Sequence, residues 1–262
     1  CVAPRTLGIE YDVDDDVNNN ALVIVTNWAP EGRAEDFLVA TAPVPTRDAD
    51  MSSWQILRAH TPGCLVLDAV PFANFTAFLV RENALPRILV ENKTTGETSA
   101  IDFPEEAYDL SFGAMGQYDT ATLRFIYASM TTPAQTIDYN MGTQARNIRK
   151  RQSVPSGHDP AMYITRRITA VSHDGAEVPV SVLHHRDTPL DGSAPVLLYG
   201  YGSYGITIPA SFSVTRLSLV DRGFIYAIAH IRGGKARGHS WFAQGRGAQK
   251  TNSFEDFAAT AR

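Results

Sequence analysis

Over the first 152 residues the apolar positions fall in short runs broken by turn residues, with no helical period of any length. Ala21–Thr26, Phe37–Ala42 and Trp54–Arg58 form one set of predicted strands. Cys64–Ala69, Thr76–Arg81, Ile88–Glu91 and Thr98–Phe103 form a second, and Tyr108–Phe112, Leu123–Ser129, Thr136–Tyr139 and Asn147–Arg151 a third. Between them stand turn clusters such as Asn92-Lys-Thr-Thr-Gly96 and Asn140-Met-Gly-Thr143. The strongest runs, near positions 24, 79 and 126, recur about every 50 residues, close to the repeat of a four-stranded propeller blade. Three such units cannot close a ring of the usual ~4–8 blades, so the segment reads as part of a larger propeller. A β-sandwich is the alternative that the same pattern allows.

The rhythm changes across Ser153-Val-Pro-Ser-Gly-His-Asp-Pro160, a hinge rich in Pro and Gly. Beyond it, Tyr163–Val171 and Val178–His184 alternate around His173-Asp-Gly175, a hairpin signal. Two continuous apolar runs follow, 196–200 and 224–231, of the kind buried on both faces of a parallel sheet. Ser211–Arg222 between them has helical spacing, and Gly223 suits its end. A last helix is predicted from Asn252 or Ser253 as N-cap, with Glu255 and Asp256 in its first turn. Strands alternating with helices predict an α/β unit. The expected division is 1–157 for the propeller blades and 158–262 for the α/β unit.

Composition adds boundaries. Apolar residues make up 44% and charged residues 19%, enough for a packed core. A net charge of −5 speaks against nucleic acid or an anionic membrane as partner, and the basic run Arg146–Arg151 reads as a solvated face. Cys1 and Cys64 are the two cysteines, too few for a disulfide framework or a Cys-based zinc site. No run approaches the length of a membrane helix. So few cysteines fit a reducing compartment, and a cytoplasmic location is expected. Because the chain begins with Cys rather than Met, its true start is expected to be missing, and the periplasm is left open.

The candidate chemistry gathers where the apolar strands end. Val196-Leu-Leu-Tyr-Gly-Tyr-Gly-Ser-Tyr-Gly205 runs from a strand into alternating Tyr and Gly, and the second strand ends in Arg232-Gly-Gly234. Carboxyl ends of neighbouring strands form the ligand-binding rim of an open α/β sheet. Glycine there permits a close approach to a ligand, and the tyrosines supply hydroxyl donors. Tyr201 has two readings of equal weight: a donor to a developing oxyanion, or a packing residue. A hydrolase on this scaffold needs a Ser between glycines on a strand-to-helix turn, G-x-S-x-G. None occurs: Gly238-His-Ser-Trp-Phe242 carries Phe242 at the second glycine, and Ser203 follows Tyr201 where the first belongs. Asp12-Val-Asp-Asp-Asp16 fails as a calcium loop and reads as a solvated acidic turn. His184 and His185 are neighbours on a strand and point to opposite faces. No metal site is expected.

These residues resemble the prolyl oligopeptidase family of serine peptidases, and within it the oligopeptidase B branch. The matching stretches are Leu198–Gly205, Arg216–Phe224, Ala229–Gly234 and Lys250-Thr-Asn-Ser-Phe-Glu-Asp-Phe257, with Tyr127–Pro133 and Asp174–Ser181 upstream. The resemblance implies a seven-bladed propeller capping an α/β-hydrolase domain, an enclosed active site between them, short peptide substrates and no cofactor. Ser203-Tyr204 and His230 are similar to members that cut after Arg or Lys; members that cut after Pro typically carry Gly-Phe and Asn there. Tyr201 falls on the oxyanion-hole tyrosine, and Tyr204 on an aromatic position lining the substrate cleft. The family's Ser, Asp and His lie downstream of the Asn252-Ser-Phe stretch, so the chain reads as an internal fragment, inactive and poorly stable alone. Lys235-Ala-Arg237 departs from the usual Gly-Glu-x. Prolyl oligopeptidase-like, acylaminoacyl peptidase or esterase activity, and a non-catalytic binding module, stand as alternatives.

Overall fold

Sixteen strands in four sheets form the framework of the chain in a computed structural model that describes residues 2–44 and 50–262. Cys1 lies outside these residues, and Cys64 is a buried free thiol. The first sheet is a meander of β1 (Tyr11–Asp16), β2 (Ala21–Ala29), β3 (Gly32–Pro43) and β4 (Gln55–Arg58). The second holds β5 (Cys64–Pro71), β6 (Phe75–Glu82), β7 (Leu85–Asn92) and β8 (Thr98–Ala100). The third holds β9 (Tyr108–Phe112), β10 (Thr122–Ser129), β11 (Gln135–Asn140) and β12 (Arg146–Arg151). All three are antiparallel throughout, with strands in chain order.

The alternation of side chains along β6 shows how these sheets stack. Ala77 and Leu79 face one way, into a cluster with Leu110, Leu123 and Phe125 of the third sheet. Phe78 and Val80 face the other way, packing with Val23, Val25 and Val39 of the first. A strand with an unbroken apolar run from Ala77 to Val80 is thus buried on both faces, as the middle blade of three must be. The outermost strand, β12, is exposed along its whole length. Its arginines and lysine occupy a free sheet edge, where charge discourages pairing with another chain.

The acidic stretch at 12–16 corrects the sequence reading. It is not a solvated turn but most of β1, paired residue for residue with β2 from Tyr11 opposite Thr26 to Asp16 opposite Ala21. Asp is a poor strand former, and the ladder offered by β2 overrides that weak preference. Asp16 is buried, accepting from Lys93 Nζ at 2.8 Å, from Asn19 Nδ2 at 2.9 Å and from the Tyr118 hydroxyl. Burial pushes its pKa up, but these donors outweigh it and hold the carboxyl below its ordinary value.

The fourth sheet differs in kind. β13 (Tyr163–Val171) and β14 (Glu177–His185) form the hairpin, followed by β15 (Val196–Tyr199), α1 (Val214–Val220) and β16 (Ile225–Ala229). Its order is β13-β14-β16-β15, with β15 parallel to β16, Val196 opposite Ile225. Helix α1 is shorter than the expected 211–222, because Ser213 before it has extended angles, φ −154 and ψ 118. It lays Leu217 and Val220 on Leu183, Tyr226 and Ile228, and Gly223 follows at φ +87. A short α2 (His239–Ala243), absent from the sequence reading, and α3 (Thr251–Thr260) complete the unit. Contacts tie it to the blades: Ala84 N–H donates to Ala236 O at 2.7 Å, and buried Asp36 accepts from the N–H groups of Gly63 and His239.

Candidate active-site rim

Because β15 and β16 are parallel neighbours, their carboxyl ends deliver the two glycine turns to one edge of the sheet. The turns then pack on each other. Gly205 N–H donates to Gly233 O at 2.9 Å, and Gly233 N–H donates to Trp241 O at 3.0 Å. A Cβ on Gly233 would lie 2.0 Å from Gly202 O, and one on Gly245 would lie 2.1 Å from Gly233 N. The glycines of the two turns are expected from the sequence to admit a ligand; at Gly202 and Gly233, and at Gly245 beside them, the backbone admitted is the protein's own.

Helix α3 clamps both turns with one face. Phe257 closes on Gly200, where a Cβ would sit 3.0 Å from its ring. Ser253 donates to Arg232 O at 2.7 Å. Asp256, fully buried, takes Arg232 Nη2 at 2.6 Å and Nε at 2.9 Å, and also the Arg232 N–H at 3.0 Å. The remaining side of the Arg232 guanidinium goes to Asp174 in the β13–β14 hairpin, at 2.6 and 3.1 Å. Lys250, just before the helix, donates to Gly202 O and to Ser203 Oγ at 2.9 Å. Positions 250, 253, 256 and 257 are spaced three, three and one apart, which sets them on one stripe of a 3.6-residue helix.

Two expectations change here. Neither Asn252 nor Ser253 is an N-cap, because Lys250 already has helical angles and the helix begins at Thr251. Asp256 does not serve the helix dipole from solvent; it is the inner partner of a buried arginine. The hydrogen bonds that the Arg232 guanidinium donates, to Asp256 first and Asp174 after it, outweigh its burial and raise its pKa. The same contact holds Asp174 well below the ordinary carboxylate range, at about 2. The spacing of Lys250, Ser253 and Asp256 was the available signal for this clamp. Which groups it meets depends on chain segments up to 82 positions away, Asp174 to Asp256.

Tyr201 and Tyr204 both stand exposed on the rim, at 44% and 84%. Tyr204 adopts a left-handed φ of +54. Among the described residues the Tyr201 hydroxyl has no hydrogen-bond partner, in contrast to the hydroxyls of Tyr118, Tyr127 and Tyr163, each held by a carboxylate. Ser203 is half-buried and accepts from Lys250; Ser240 is exposed on α2. Neither occupies a strand-to-helix elbow.

His230 sits behind the rim rather than on it. Its Nε2 meets Ser181 Oγ at 2.9 Å, and its Nδ1 has no partner among the described residues. Burial, with the charges of Arg167 and Arg81 adding, pushes its pKa from 6.5 down to about 4. An unfolded chain therefore takes up a proton on this residue before the folded one does. The stability from keeping His230 neutral is complete above pH 6.5 and is lost as pH falls toward 4. The denaturation midpoint of the whole protein is expected to fall over that window more steeply than that of a His230→Gln variant. Identical slopes would show that His230 does not set it.

Comparison with known proteins matches this geometry. Residues 1–152 fit the family model described as "Prolyl oligopeptidase, N-terminal beta-propeller domain", and residues 210–262 the model described as "Prolyl oligopeptidase family". The chain is 38% identical to dipeptidyl aminopeptidase BI of Pseudoxanthomonas mexicana, over 98% of this chain and 34% of that protein. It is 30% identical to protease 2 of Moraxella lacunata, over 100% of this chain and 36% of that protein. The solved structure of oligopeptidase B from Leishmania major superposes with a TM-score of 0.88 at 32% identity, over 99% of this chain and 37% of that one. The chain thus spans about a third of the length of the relatives it matches. Three four-stranded propeller blades followed by the start of a hydrolase domain are the parts it contains. On fold, motif and sequence together, the chain belongs to the prolyl oligopeptidase family.

Proposed function

We propose that the whole protein is a serine-type oligopeptidase acting on short peptides, cutting after Arg or Lys. Residues 1–157 contribute propeller blades and residues 158–262 the opening part of the catalytic domain. The observation that carries the reading is the Tyr201 hydroxyl: exposed at the carboxyl end of a parallel strand, without a partner among the described residues, on a turn clamped from behind. In this reading a Ser supplied by the rest of the catalytic domain attacks the peptide carbonyl. A His takes and returns the proton, and an Asp orients the His. The Tyr201 hydroxyl, with a backbone N–H next to the nucleophile, donates to the oxyanion, and Tyr204 lines the substrate cleft. No cofactor enters this chemistry. The described residues contain no helix long and apolar enough to cross a membrane, and peptides are the partners proposed.

Tyr201→Phe in the whole protein is expected to lower kcat about 100- to 1,000-fold, the usual loss of one oxyanion donor. Undiminished turnover would remove Tyr201 from the mechanism. A second reading has its own support, since the relative 38% identical bears the name dipeptidyl aminopeptidase. Peptides with a free or a blocked amino terminus separate the two. Cleavage after internal Arg or Lys of blocked peptides supports the oligopeptidase, whereas release of dipeptides from free termini alone supports the other. Preference for Pro-containing peptides or for esters would point to the remaining hydrolase readings, and no turnover of any of them to a binding module.

A further inference from the structure

We propose that Lys250 is a positioning residue for the Tyr201 hydroxyl, holding the Tyr-Gly turn in the shape from which that hydroxyl meets the reacting carbonyl. This rests on reading Tyr201 as an oxyanion donor. Gly200, Gly202 and Gly205 fall within six residues, with φ of +66 at Gly202 and +70 at Gly205. So glycine-rich a segment has many backbone states and needs outside contacts to keep one. The downstream half is fixed by Gly205 N–H donating to Gly233 O. The upstream half, where Tyr201 lies, is held through the Gly202 carbonyl, and that carbonyl is met by Lys250 Nζ.

The ammonium suits its place. It has three hydrogens and faces three neutral oxygens: Gly202 O, Ser203 Oγ at 2.9 Å and Ser253 Oγ at 3.3 Å. With all three donors engaged, Lys250 has none left for a substrate, so its effect passes through the turn. Ser253 cannot take over, because its own hydrogen goes to Arg232 O at 2.7 Å and Gly202 O is 3.4 Å away. A charge-assisted bond to a carbonyl is also stronger than a neutral one. Oxyanion donors act through placement made before the reaction begins, and a shift of about 1 Å costs up to ~100-fold in rate.

The test compares the whole wild-type protein with Lys250→Met, Tyr201→Phe and the double variant on a short Arg-containing peptide. Amide hydrogen exchange over 200–205 is followed in parallel. Lys250→Met is expected to lower kcat about 10- to 100-fold with KM nearly unchanged. In the Tyr201→Phe background it should cost less than about twofold, because the group it positions is already gone. Exchange over 200–205 should quicken. If Lys250→Met does not fold, Lys250→Gln carries the same comparisons with an uncharged, shorter donor group. An equal loss of kcat in both backgrounds, or unchanged exchange, overturns the proposal. Full turnover by Tyr201→Phe together with quickened exchange would overturn the oxyanion reading and still support the hold of Lys250 on the turn.

Discussion

Replacing Arg232 by Met is expected to destabilise the whole protein by about 3–5 kcal/mol, the usual result of removing one partner from a buried ion pair. Arg232 is 2% exposed and Asp256 0%, so the variant strands a carboxylate with no water to solvate it. Asp256 also accepts the Arg232 N–H, and that bond by itself does not neutralise the charge. The contrast with the other carboxylate decides the mechanism. The Asp174 side chain is 37% exposed, and water replaces the arginine there at little expense. Asp174→Asn is therefore expected to cost no more than about 1 kcal/mol. Urea unfolding of the three proteins at pH 7 measures both. Equal losses for the two variants would mean that burial is not what sets the energy.

Gly233→Ala is expected to be about as damaging, for a reason unrelated to charge. The new Cβ would meet Gly202 O at 2.0 Å, Gly202 C at 2.7 Å and Gly245 O at 2.9 Å, all of them backbone atoms that no rotamer change can move. To this is added a left-handed φ of +92. An alanine held in that region costs about 1–2 kcal/mol, and overpacking a tight site about 1–3 kcal/mol more. The sum is roughly 2–5 kcal/mol, together with displacement of the rim that carries Tyr201. Gly175 supplies the control: its φ is +84, but nothing lies within 4 Å of its missing Cβ. Gly175→Ala should show the conformational part alone, about 1–2 kcal/mol. Equal destabilisation by the two alanines would show that the close approach of the turns is not tight in solution.

Much of this architecture was legible in the chain. Period-two alternation and turn clusters located eleven of the twelve blade strands, because in an antiparallel meander each strand and its turn are encoded locally. The exception, β1, has Asp at four of its six positions and owes its extended form to the ladder of β2. The parallel pair announced itself in two continuous apolar runs, and the motifs on their ends announced the rim. The boundaries of α1 and α3 and the existence of α2 were not legible, since short helices draw their stability from packing rather than from their own residues.

By itself the sequence determined the strand-rich half, the α/β half, the Tyr-Gly turn and, through its ordered motifs, the family. Tertiary structure alone decided what the glycines and charges at that turn are for. Gly202, Gly233 and Gly245 admit one another's backbones, and Asp256 faces inward to a buried arginine. Lys250 spends two of its three donors on the turn and the third on Ser253. Apart from that last one, each of these is a contact between residues 12 to 48 positions apart, governed by distances of a few ångströms that no local pattern encodes.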